Sequence, residues 1–299
     1  MPRAWSSARY TIPLPEGHRF PMAKYAMIRD AVAASGVLAG GIEEPDRVER
    51  WALGLAHTPE WIDAIMDGTI SEAQTRRVGF PWSAELRERS LRTVQATVEA
   101  ARDALAEGWG VTLAGGTHHA FADRGEGFCV FNDVAVAIRL LQREGRIQRA
   151  AVIDLDVHQG NGTAAIFSGD QDVFTFSMHG RKNYPFHKEV SRLDVELEDG
   201  CGDSEYLALL EAHLDDVLAG AEPHLVFYLG GADPYAGDRL GRLQLSIAGL
   251  ARRDRMVFDA CRRLGVPVVL TMAGGYAPDL GDVATIHCNS VRELVRAYH

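Results

Sequence analysis

The 299-residue sequence predicts an α/β protein in which a mostly parallel central sheet lies between layers of helices. Three observations carry that prediction. Five short β-branched or apolar runs recur along the chain, helical patterns separate them, and each run leads into glycine, aspartate or histidine. Runs that are apolar at nearly every position suit strands covered on both faces, as parallel sheets require. Strands alternating with helices make βαβ units.

Residues 1–80 are the least regular stretch. They hold an aromatic and proline-rich piece (YTIPLPEGHRFP) and short helical patterns over 45–57 and 59–66. They are expected to wrap the sheet and line its mouth within a single domain spanning 1–299, because no linker, repeat or low-complexity tract divides the chain. A long helix begins near Ser83, where Leu91, Val94, Val98, Ala101 and Leu105 form one apolar stripe. Residues 110–116 (GVTLAGG) read as the first strand, and a helix opens near Asn132. Residues 150–156 (AAVIDLD) follow as the second strand, with GNGTAAIF turning into a helix, and 172–179 (DVFTFSMH) as the third. Asp203 or Ser204 can cap a helix carrying Leu207, Leu210, Leu214, Val217 and Ala221. The fourth strand is 225–231 (LVFYLGG). A helix over 247–264, ended by Gly265 and Pro267, leads to the fifth strand at 267–275.

Composition narrows the function. The apolar share of 46% and charged share of 24% are ordinary for a globular chain. With 31 basic against 41 acidic residues the net charge is −10, which argues against general binding to a phosphate backbone and is compatible with a cationic substrate. Cys129, Cys201, Cys261 and Cys288 are scattered, so they read as reduced core or wall residues of a cytoplasmic protein. No stretch is long and apolar enough for a membrane span, and no secretory leader is evident.

In an open parallel sheet, ligands sit beyond the carboxyl ends of the strands. The five runs lead into THH (117–119), DVH (156–158), MHG (178–180), ADP (232–234) and GGY (274–276), so chemically capable residues gather at one rim. The densest signal is Asp154-Leu155-Asp156-Val157-His158. Strand alternation puts Asp154, Asp156 and His158 on one face. Two carboxylates at a buried strand end are costly unless paired or bound to a cation, and Asp with His is a ligand set that zinc accepts. Aspartates capping the next helix are the alternative. His118 and His119 offer two imidazoles to one cleft, one as general base and one held charged beside it, or are solvated loop residues. Asp233 is a third metal ligand that leaves an open coordination position, or a turn residue before Pro234. Tyr276 is a donor to a developing oxyanion, or packing. Phe128 is a tunnel wall or core, Asn161 faces the same mouth, and His179 is supporting. No G-x-S-x-G, Walker A or post-strand G-x-G-x-x-G occurs.

Together these segments resemble the histone deacetylase superfamily, more specifically its class IV branch and bacterial relatives. The matching pieces are GGTHHAFADRGEGFCVFNDVAVA (115–137), VIDLDVHQGNGTAAIF (152–167), FSMHGRKNYPF (176–186), LVFYLGGADPYAGDRLGRL (225–243) and AGGYAPD (273–279), in family order, with HRFPMAKY (18–25) also fitting. The resemblance implies a three-layer α/β/α fold of the arginase/deacetylase type. It also implies one catalytic Zn2+, with Fe2+ as the other candidate, and hydrolytic removal of an acetyl or longer acyl group from an amine. Asp156, His158 and Asp233 match the metal ligands, His118 and His119 the catalytic dyad, and Tyr276 the tyrosine that polarises the acyl carbonyl. Asp154 matches the aspartate behind the first histidine, and with Ser177 and the Met178 carbonyl it matches the site of a structural K+ or Na+. Phe128 matches a wall of the acyl-lysine tunnel, and Gly127, Gly274 and Gly275 go with it to substrate binding.

The sequence departs from the family pattern in three places. Asn161 stands where class I enzymes have an aspartate, as in class II and IV members. Ala273 replaces the first of three glycines, and Gly230-Gly231-Ala232 replaces the more usual Ala-Gly-Val. None of these removes a reacting group. The resemblance thus implies a metal-dependent amidohydrolase in which water attacks the amide, His119 serves as base, His118 as its electrostatic partner, and Tyr276 steadies the oxyanion. An acyl-lysine-binding module without turnover competes with it. An arginase-like ureohydrolase is disfavoured, because Gly160 stands where that family carries a further aspartate. The expected partners are an acylated lysine peptide, an acylated polyamine or another small amide.

Overall fold

The computed structural model describes residues 3–299 and arranges them around one large parallel sheet. Ahead of it, β1 (Ala4–Trp5) pairs in parallel with β2 (Ile42–Glu43). The large sheet consists of β3 (Trp109–Val111), β4 (Ala150–Asp154), β5 (Val173–Gly180), β6 (Leu193–Leu197), β7 (Leu225–Leu229) and β8 (Val268–Thr271). Their spatial order is β3-β8-β7-β4-β5-β6, and every ladder is parallel.

The five predicted runs are five of these six strands, but four stop short of their apolar runs. The first closes at Val111 rather than Gly116, because Gly115 and Gly116 both adopt positive φ and turn the chain out of the sheet. The sixth strand, β6, carries LDVEL at the sheet edge. Its charged residues blunt that edge and hide it from a search for apolar runs.

The helices are α1 (Lys24–Ser35), α2 (Arg50–Leu53), α3 (Pro59–Asp67), α4 (Glu72–Val78), α5 (Ala84–Glu107), α6 (Asp133–Arg143), α7 (Asn161–Ile166), α8 (Asp203–Ala221), α9 (Ile247–Leu264) and α10 (Leu280–Tyr298). Alternate strand residues divide two cores between them. Val152, Phe227 and Val269 pack with α5 and α6 on one face. Ala151, Ile153, Val226, Tyr228 and Leu270 pack with α1, α8, α9 and α10 on the other. That division is the three-layer α/β/α architecture.

Local caps explain several helix starts. Ser83 accepts the Leu86 N–H, Thr58 the Trp61 N–H before Pro59, and Asn132 the Ala135 N–H. The expected cap of α8 is not formed. Asp203 is the first residue inside that helix, and its carboxylate accepts the Ser246 N–H at 2.8 Å and hydroxyl at 2.6 Å instead. It thereby joins the starts of α8 and α9. Among the described residues no helix is long and apolar enough to cross a membrane.

Candidate active site

Strand β4 ends at Asp154, and residues 155–158 bend away from the sheet. The alternation persists through the bend: Ile153, Leu155 and Val157 pack in one core, and Asp154, Asp156 and His158 share the other side. Leu155 and Val157 remain fully buried in the core, anchoring the bend while their polar neighbours meet at the rim.

Three buried ligand atoms from Asp156, His158 and Asp233 lie within 4.8 Å of one another. His158 Nδ1 is 3.0 Å from Asp156 Oδ1 and 3.1 Å from Asp233 Oδ2. Backbone donors hold the carboxylates: Asp156 Oδ2 accepts the Gly274 N–H at 2.7 Å, and Asp233 Oδ1 accepts the Val157 N–H at 3.0 Å. Asp233 Oδ2 is buried and receives no hydrogen bond. Burial opposes charge on His158, but the two carboxylates overcome it and raise its pKa to about 10. Burial and the charge on Asp156 together push Asp233 up to about 7. The three groups together call for positive charge.

His118 and His119 stand beside this cluster with ring centroids 4.1 Å apart, and their environments drive them apart electrostatically. His118 Nδ1 lies 2.7 Å from Asp154 Oδ2. Burial again opposes its charge, but Asp154 and Asp156 prevail and lift its pKa to about 9. His119 Nδ1 donates to the neutral Asn161 Oδ1 at 2.7 Å, which leaves Nε2 with a lone pair. Burial, then the neighbouring His118 and His158, hold His119 well below the ordinary histidine range. One imidazole is thus kept charged and the other neutral. Divergence of this kind separates acid from base roles.

Tyr276 follows Gly274 and Gly275, and its ring lies 6.4 Å from His158 and 6.2 Å from Phe128. Phe128 adopts positive φ and packs with Phe20 and Phe80 on one side of the cavity. A Cβ on Gly127 would fall 2.7 Å from the His119 ring, so glycine lets the wall approach the dyad. Ser177 faces Asp154 across the β4–β5 ladder; its hydroxyl contacts His179 Nδ1 at 2.9 Å, and Met178 is fully buried. All four cysteines are buried and unpaired.

Four residues of this site carry no assignment from sequence. Arg253 on α9 is fully buried and donates from Nη1 to the carbonyls of Leu155 and Gly231, at 3.2 and 2.7 Å, just ahead of Asp156 and Asp233. Its Nε pairs with Asp254 at 2.8 Å. Asp133, at the start of α6, accepts the Gly116 and Thr117 N–H groups at 3.0 and 2.8 Å and so holds the turn that carries the histidine pair. Tyr184 packs edge-on to His119 at 5.0 Å, and its hydroxyl donates to Glu126, which also faces Asn161 Nδ2 at 3.4 Å. A lone arginine in a helix reads as a solvated charge, and an aspartate after a helix cap reads as dipole complement. Only the FSMHGRKNYPF segment could have drawn attention to Tyr184.

The cavity above the cluster measures about 480 Å3 and descends past Phe128 and Tyr184 to His119, His158 and Tyr276. Its exposed rim is cationic, with Arg19, Arg76, Arg77, Lys182 and Arg242. The rim is thus opposite in sign to the chain's net charge of −10.

A family profile described as a histone deacetylase domain matches residues 18–292. An uncharacterized protein of Picosynechococcus is 44% identical over 279 residues, covering 93% of each chain. Histone deacetylase 2 of Arabidopsis thaliana is 30% identical over 289 residues, covering 93% of this chain and 74% of its own. The crystal structure of the HDA15 HD domain shares the fold, with a TM-score of 0.82 at 22% identity over 99% of this chain and 88% of that one.

Proposed function

The chain belongs to the histone deacetylase family and is a deacetylase-like hydrolase, and from that premise we propose that it removes an acyl group from a lysine side chain or another amine, with one divalent metal held by Asp156, His158 and Asp233. The observation that carries this reading is the buried Asp–His–Asp cluster, with an unsatisfied Asp233 Oδ2, beside two histidines whose Nδ1 atoms face Asp154 and Asn161.

The donor set fits zinc, with Fe2+ as the alternative: two carboxylates and one imidazole leave a position open. A metal held there would supply Lewis acidity toward the acyl oxygen and lower the pKa of water. His158 would have to give up the proton that the two carboxylates favour on it before its ring could serve as a ligand.

The remaining steps belong to the chain's own residues. His119 Nε2 accepts a proton from the attacking water. His118, charged against Asp154, offsets the negative charge that develops beside it. The Tyr276 hydroxyl donates to the acyl oxygen as that oxygen gains charge. His119 then returns its proton to the leaving amine. Phe128, with Gly127, Gly274 and Gly275 giving close approach, encloses the acyl-lysine stem. Asp154, Ser177 and the Met178 carbonyl form the seat of a structural K+ or Na+ behind His118. Asn161 behind His119 disfavours class I and is compatible with the class IV-like assignment, and one sheet spanning 109–271 supports a single domain.

The test is amine release from acetyl-lysine peptides, longer acyl-lysine peptides and acetylated polyamines, before and after metal depletion and after zinc is restored. Hydrolysis that disappears with the metal and returns with one equivalent is expected. Acyl-lysine binding without amine release in the metal-loaded protein would identify a binding module instead, and two metals per chain would favour a ureohydrolase.

A further inference from the structure

We propose that the rim selects acyl-lysine set among carboxylates, so that the preferred substrate is an acidic peptide segment; the inference rests on the deacylase reading above. The chain carries ten more acidic than basic residues, yet no Asp or Glu among the described residues lines the cavity. Five exposed cations stand there instead: Arg19, Arg76, Arg77, Lys182 and Arg242.

Their own carboxylates are few. Glu72 pairs with Arg76 at 3.4 Å, and Asp199 is shared between Lys182 at 3.6 Å and Arg242 at 3.3 Å. Among the described residues Arg19 and Arg77 have no carboxylate partner. An adjoining hollow adds Arg124 and Glu126, 3.6 Å apart, and Arg124 also pairs with Asp123 at 2.9 Å, so this hollow adds no positive charge. The mouth therefore holds an excess of positive charge in a protein whose surface as a whole is negative.

A concave mouth of one sign concentrates counter-charged ligands, and an arginine fork fits a carboxylate with two parallel hydrogen bonds. Screening sets the reach at about 8 Å in physiological salt, and extended chain advances about 3.5 Å per residue. Carboxylates one or two positions from the acyl-lysine fall in that range. The cations come from four separate segments, the residue-19 turn, α4, the residue-182 turn and the loop before α9, so an entering chain can meet more than one of them. A lone small acid would use only one of them. Phe186, 80% exposed on the same rim, offers a peptide an apolar contact. Lysine-rich tails and polyamines meet like charge.

The experiment compares three peptides with a central acyl-lysine flanked on both sides by glutamates, glutamines or lysines. Hydrolysis is read with the metal-loaded protein, and binding by fluorescence anisotropy with the metal-loaded Tyr276→Phe variant. The expected order is Glu over Gln over Lys, with about tenfold or more between the extremes. It should appear in KM and in binding, and shrink as salt rises from about 0.02 to 0.3 M. Arg19→Gln with Arg77→Gln should flatten the order and the paired Glu changes should invert it, while Arg146→Glu, exposed at the opposite end of the sheet, should leave it intact. Binding blind to flanking charge, or favouring lysines, overturns the proposal. Charge-ordered binding with no hydrolysis of any peptide supports it and refutes the deacylase reading; equal hydrolysis and binding of all three does the reverse.

Discussion

Replacing Gly274 by alanine puts one methyl group into the space between two carboxylates. The Gly274 N–H donates to Asp156 Oδ2 at 2.7 Å, which draws the loop after β8 flush against the cluster. An added Cβ would lie 1.9 Å from Asp233 Oδ2 and 2.6 Å from Asp156 Oδ2, where ordinary contact begins near 3.4 Å. Asp233 must then retreat by roughly 1.5 Å, or the loop must move away with Tyr276 two residues on. Metal–ligand distances tolerate only about 0.2 Å, so the Asp233 bond would be lost. Metal affinity should fall about 100-fold or more, judged against the 10- to 100-fold typical of losing a group that merely orients a ligand. Overpacking costs about 1–3 kcal/mol, within what a folded domain tolerates. The assay combines metal content after dialysis against graded chelator, turnover at saturating metal and thermal melting of the metal-free protein. Gly220→Ala on α8, whose Cβ would meet Phe174 at an ordinary 3.7 Å, serves as control and should behave as the parent. A Gly274→Ala protein that keeps parental metal affinity and turnover would refute the assignment of Asp156 and Asp233 as ligands.

Further predictions follow from the same geometry. Tyr276→Phe should lower kcat about 100- to 1000-fold while metal content stays at one per chain; unchanged turnover would remove the hydroxyl from the mechanism. Asn161→Asp replaces a neutral partner of His119 Nδ1 with a carboxylate at about the same 2.7 Å, which raises the imidazole pKa. The acid limb of the kcat/KM profile should therefore move to higher pH, and an unmoved limb would exclude His119 as the base. Buried His57 donates from Nδ1 to the Phe121 carbonyl at 3.0 Å and accepts the Asn132 N–H at Nε2, and burial lowers its pKa from 6.5 to about 4. The unfolded chain takes up a proton that the folded one refuses, so stability present above pH 6.5 declines by about 3 kcal/mol as pH falls to 4. Urea titrations should show that His57→Gln loses less over this window than the parent. Arg253→Leu strands the Asp254 carboxylate and should cost about 3–5 kcal/mol in melting experiments. Arg253→Lys should recover only part, because a point charge cannot copy the guanidinium fork.

Much of the scaffold was legible because burial on both faces of a parallel sheet leaves an unbroken apolar run. The rim residues were legible because each run leads into a group able to bind or transfer a proton. Reading stopped where the signal was not periodic. Edge strand β6 carries Asp194 and Glu196, so it lacks an apolar run. The end of β4 at Asp154 is set by a bend that alternation does not foresee, and the cap expected from Asp203 went to a different helix. Arg253 and Asp133 act on backbone groups distant in sequence, and no local pattern marks such a partnership.

What the sequence determined by itself was the kind of fold and the inventory of reactive groups, since both follow from local order: apolar runs bury themselves, and the residues after them reach the rim. What only the tertiary structure decided was electrical. Two adjacent histidines of the same chemistry differ because one faces Asp154 and the other Asn161. The mouth of an acidic protein is basic because folding selects, from 31 cations spread along the chain, the few that stand around one cavity. Net charge is a sum over all residues, whereas the field at a site depends on distance, and distance exists only once the chain has folded.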